Sequence, residues 1–115
     1  MGEVNITDIN IKNRMELVII TAVQAFEQDI KQLLKAAGVQ AFSYTHVTGY
    51  TARPNSASNA NWFASEAGEH QSVLFYVFMA SETAQKVLSA VTELNAHEES
   101  RSHVHAAIVP ISQAI

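Results

Sequence analysis

A chain of 115 residues with 48% hydrophobic and 16% charged residues is long enough to close one buried core and too apolar to be disordered by composition. The formal net charge is -4 and the seven basic residues are scattered, so there is no phosphate-tracking stripe and nucleic acid is not an expected partner. The absence of cysteine excludes disulfides, thiolate catalysis and Cys-based zinc sites.

Residues 1–14 form an N-terminal extension. Val4, Ile6, Ile9 and Ile11 nearly alternate with polar residues, as in an extra edge strand, and the other reading is a frayed leader ahead of Met15. No apolar run approaches the roughly 20 residues that span a bilayer, so the expectation is a cytoplasmic protein without membrane insertion. Residues 15–23 are a β-branched run expected to form a strand buried on both faces. From about Ala25 to Ala37, Phe26, Ile30, Leu33, Leu34 and Ala37 fall at helical spacing, with Glu27 and Lys31 paired i,i+4 on the polar side. Gly38 stands where a glycine ends a helix in the left-handed conformation.

Phe42, Tyr44, His46 and Thr48 alternate with Ser43, Thr45, Val47 and Gly49, predicting a second strand. Residues 51–70 have no sustained period and are rich in Asn, Ser and Ala, which predicts a long functional loop. Residues 71–80 read as a third strand, again apolar on both faces. Ser81 is a candidate N-cap for a helix whose stripe is Ala84, Val87, Leu88, Val91 and Leu94. A fourth strand is expected over 103–111, with Pro110 near its end.

The order βαββαβ predicts an α+β, ferredoxin-like domain over 15–115: a four-stranded antiparallel sheet with both helices on one face. Such a sheet should be polar on its other face, yet the first and third strands are apolar on both. That open face is expected to pack on copies of the chain, most simply as a trimer.

Residues 36–50, Ala-Ala-Gly-Val-Gln-Ala-Phe-Ser-Tyr-Thr-His-Val-Thr-Gly-Tyr, resemble the first-helix end and second strand of the nitrogen regulatory PII signalling proteins, roughly "GVQGLTVTEVKGFG". Residues 109–115, Val-Pro-Ile-Ser-Gln-Ala-Ile, resemble that family's "YPVEEAI". The resemblance implies a PII-like regulatory trimer with a small ligand, possible as an adenine nucleotide, in a cleft between subunits. It also implies a mobile T-loop at 51–70 and a membrane transporter or efflux protein as partner. The ligand-binding residues are then Gly49, Tyr50 and Arg53 at the loop base, with Arg101, His103 and His105 before the last strand. There the sequence departs from the family's glycine-rich "TGKIGDGK": residues 98–105 read Glu-Glu-Ser-Arg-Ser-His-Val-His, with no glycine to cradle phosphate.

Two further groups stand out. His97, His103 and His105 offer imidazoles to a divalent transition metal, and this metal-binding or metal-tolerance reading is the alternative to a nucleotide. Trp62 and Phe63 in the polar loop either tuck it onto the domain or anchor a partner. His46 and His70 read as isolated surface histidines. No spacing matches a nucleophile–base set, so no enzyme activity is expected.

Overall fold

In the computed structural model the described residues are 14–52, 68–99 and 102–115. Strand β1 is Met15–Val23, followed by a 3-10 turn Gln24–Phe26 and helix α1, Glu27–Ala36. Strands β2, Ser43–Thr51, and β3, Gly68–Ala80, precede helix α2, Ser81–Ala96, and strand β4, His105–Pro110. The sheet is antiparallel throughout, in the order β2-β3-β1-β4. This is the expected ferredoxin-like arrangement.

The strand pleat separates two faces. Val18, Ile20 and Ala22 of β1 stand beside Val77, Phe75 and Val73 of β3, all 2% exposed or less. They join Ile30 and Leu34 of α1 and Ala84, Val87 and Val91 of α2 in one core. On the other face lie Leu17, Ile19, Thr21 and Val23 with Phe78, Tyr76, Leu74 and Ser72, and β4 adds His105, Ala107 and Val109. No helix covers this face, and Phe78 is 61% and Tyr76 45% exposed.

Helix α1 ends as its glycine predicts. Gly38 has φ +92°, its N–H donates to Lys35 O at 3.0 Å, and Val39 N–H reaches Leu34 O at 3.0 Å. Val39 and Leu34 then meet in the core, the hydrophobic contact of a Schellman cap.

Several local expectations are corrected. The helix after β1 starts at Glu27 rather than Ala25, because three residues form a tighter turn first. The β2–β3 pairing continues to Thr51 opposite Gly68, so the strands claim both ends of the predicted 51–70 loop. Gly68, at φ +103°, is the point where the chain turns into β3. Ser81 does not cap α2: its hydroxyl donates to Glu16 Oε1 at 2.6 Å, and Ala80 occupies the N-cap position without a side-chain bond. Strand β4 begins at His105, two residues later than expected, and Pro110 is tolerated because β4 is an edge strand.

Candidate functional site

The two halves of the predicted ligand site stand at opposite edges of the sheet. Gly49 and Tyr50 lie near the end of β2, where Gly49 pairs with His70 of β3. His105 opens β4 and pairs with Thr21 of β1. Counting the register across all four strands aligns His105 of β4 with Thr45 of β2, so Gly49 lies four residues further along, roughly 13 Å, towards the same end of the sheet. Strands β3 and β1 lie between them, about 14 Å at ordinary strand spacing. A single chain therefore does not bring the two sets together.

Gly49 is buried on the open side, while Tyr50 is 68% exposed on the side of the helices. On β4 the alternation sends Val104, 1% exposed, into the core and leaves exposed His103 and half-buried His105 on the open face. Burial, and secondarily the neighbouring His103, lowers the His105 pKa below the ordinary histidine value, so its ring is held neutral near pH 7. Thr21, opposite His105, and Ser72, opposite Val23, also belong to this end of the open face. Their hydroxyls are buried with no hydrogen-bond partner.

Among the described strand residues the open face bears no carboxylate, lysine or arginine. Its ionisable groups are His70, His103, His105 and the Tyr76 phenol. Glu98 and Glu99 precede β4, in the connection from α2.

His97 belongs to a different element from the other two histidines of the predicted metal set. It follows the last turn of α2, with its Nε2 3.4 Å from Glu93 Oε1. Among the described residues no group of three or more His, Asp or Glu side chains is positioned to hold a metal ion. Arg53, Trp62, Phe63 and Arg101 lie outside the described residues, as do residues 1–13.

Two arrangements escaped the reading of the sequence. The first joins α1 to β2. Lys31 Nζ donates to Glu27 Oε2 at 2.9 Å and to the Tyr44 hydroxyl at 3.0 Å, and His46 Nε2 lies 2.5 Å from Glu27 Oε1. His46 is thus not isolated. The Lys31 and His46 hydrogen bonds hold the Glu27 carboxyl below its usual value, and Tyr44 and then Glu27 raise Lys31. The i,i+4 pair was visible in sequence, but its extension to β2 depends on how the strand docks. The second arrangement is at Asn95, whose carboxamide accepts from Val104 N–H at 2.9 Å and donates to Val104 O at 2.8 Å. No short-range pattern announces it.

No protein-family model matches the sequence, and no curated protein does. Solved structures do. A DUF3240 family protein from Shewanella baltica OS155 is 17% identical, with a TM-score of 0.60 over 87% of this chain and 92% of that one. CPII, a nitrogen regulatory PII-like protein from Thiomonas intermedia K12 bound to ADP, AMP and bicarbonate, is 14% identical, with a TM-score of 0.56 over 88% and 96%. The B. subtilis GlnK–ATP complex is 16% identical, with a TM-score of 0.61 over 85% and 83%. At these identities the likeness establishes the fold, which is that of the PII-like proteins.

Proposed function

We propose that this chain, which has the PII-like fold, is a divergent PII-like regulatory protein. It assembles as a homotrimer through the open sheet face and binds a small ligand between neighbouring copies. The observation that carries this reading is the placement of Gly49 and Tyr50 on one sheet edge and His103 and His105 on the other, towards the same end of the sheet. A second copy supplies the missing half. The open face suits such packing because it is apolar along β1 and β3 and its described strand residues bring no carboxylate, lysine or arginine that a like face would leave unpaired.

The adenine nucleotides bound by CPII and by GlnK support a nucleotide as the ligand. The departure before β4 argues for a ligand with few phosphates. Glu98 and Glu99 stand where glycine amides would meet a polyphosphate, and each carboxylate opposes a nearby phosphate charge by about 1 kcal/mol in a water-like medium. Ligand binding then changes the affinity of the protein for a partner such as a membrane transporter or efflux protein, by differential binding to two states. The work is regulatory rather than catalytic, and it takes place in the cytoplasm. No helix among the described residues is long and apolar enough to cross a membrane.

Isothermal titration of the assembled protein with AMP, ADP and ATP tests the reading. AMP or ADP should bind more tightly than ATP, and His103→Ala should weaken both. Silence with all three nucleotides removes the nucleotide reading, whereas zinc uptake that depends on His103 and His105 favours a metal between copies.

A further inference from the structure

Val104 lies between the two candidate histidines, one residue ahead of the first β1–β4 pair, His105 opposite Thr21. Its side chain is 1% exposed in the core, and both polar groups of its backbone are bound by one side chain, that of Asn95 in the last turn of α2. A carboxamide carries an acceptor and a donor side by side, as a peptide group does. Asn95 therefore grips Val104 as a neighbouring strand would, before the ladder itself begins.

The consequence concerns pleat phase. Along an extended chain successive side chains alternate between faces, so a slip of one residue would turn Val104 outward and drive both histidines towards the core. Pairing with β1 sets this phase from His105 onwards. For His103 and Val104, fresh from a connection that contains Glu98 and Glu99, the phase is set by the grip of Asn95. We propose that Asn95 is the positioning residue for the β4 half of the ligand site: its two-point hold on Val104 keeps His103 on the open face, beside the ladder-held His105. The link from placement to ligand affinity rests on the reading of these histidines as ligand contacts; the placement itself does not.

The test compares wild type with Asn95→Ala and Asn95→Asp in the full chain. It uses amide exchange, the imidazole resonances and titration with ADP. Aspartate keeps an acceptor for the Val104 N–H but turns a second oxygen towards the Val104 carbonyl, so it separates a two-point grip from a single hydrogen bond. Asn95→Ala should exchange the Val104 amide roughly fivefold faster or more, the factor expected for one lost hydrogen bond, and Asn95→Asp should fall between it and wild type. The His103 ring signals should move while those of His46 stay in place, and ADP affinity should fall about tenfold, as for a displaced contact to a charged group.

Unmoved His103 signals in Asn95→Ala overturn the proposal, as does an Asn95→Asp protein indistinguishable from wild type. A Val104 amide as unprotected in wild type as in an open chain overturns it too, even if a variant does not fold. Ring signals that move as expected in a protein that binds no ADP leave Asn95 as the positioning residue and refute the nucleotide reading.

Discussion

Replacing Phe78 by alanine separates what the open face contributes to the single chain from what it contributes between chains. Phe78 is 61% exposed and paired in register with Leu17. A phenylalanine presents on the order of 200 Å² in the unfolded chain, so about 120 Å² of Phe78 is left for another copy to cover. At about 25 cal/mol per Å² that surface is worth roughly 3 kcal/mol per contact, and an alanine retains a minor part of it. The expected loss is about 2 kcal/mol per contact, roughly thirtyfold in association. Within one chain the ring is already mostly in water, so urea unfolding of the dissociated protein should shift by less than about 1 kcal/mol. Sedimentation equilibrium over a concentration series reads the first quantity and a urea titration under dissociating conditions the second. A Phe78→Ala protein that assembles as tightly as wild type would refute the argument that this face is the interface.

Other outcomes follow from the interior and the α1–β2 network. Phe75 is 0% exposed, with ring centroids 5.8 Å from Phe42 and 5.2 Å from Tyr44, so Phe75→Ala should cost about 3–5 kcal/mol in urea unfolding. A loss under about 1 kcal/mol would mean that the core collapses around the gap. Thr21→Val keeps the shape and removes a buried hydroxyl that has no partner, so it should leave stability unchanged or raise it by about 1 kcal/mol; a clear destabilisation would show that the hydroxyl is satisfied in solution. The Glu27 carboxyl titrates below its ordinary value of 4.5, chiefly through the hydrogen bond from Lys31 and then that with His46. Its stabilisation is therefore complete above about pH 4.5 and lost as pH falls through the lower folded value. Glu27→Gln should flatten the acid limb of the stability profile, and an unchanged limb would place the pair's effect elsewhere.

Most of the fold was legible because its signals are local. Helical spacing in α1 and α2, the β-branched run of β1, the apolar run of β3 and the glycine at position 38 each act over a few residues, and the structure has them nearly where they were read. The errors fell where a distant partner competes for a local group. Ser81 has an N-cap's chemistry, but its hydroxyl donates to Glu16 of β1 instead of turning to the helix amides. His46 looked solitary because Glu27 reaches it only across the packing of α1 on β2.

The sequence by itself determined which residues form strands and helices, and that β1 and β3 are apolar on both sides, since periodicity needs no knowledge of neighbours. Only the tertiary structure decided what those residues face. Strand order separates Gly49 and Tyr50 from His103 and His105 by two strands while leaving both sets towards the same end of the sheet. Side-chain hydrogen bonding across the fold added the grip of Asn95 on Val104. Register and crossover are properties of the whole sheet, which is why the candidate residues and their two groups could be named from the sequence and the strands that lie between the groups could not.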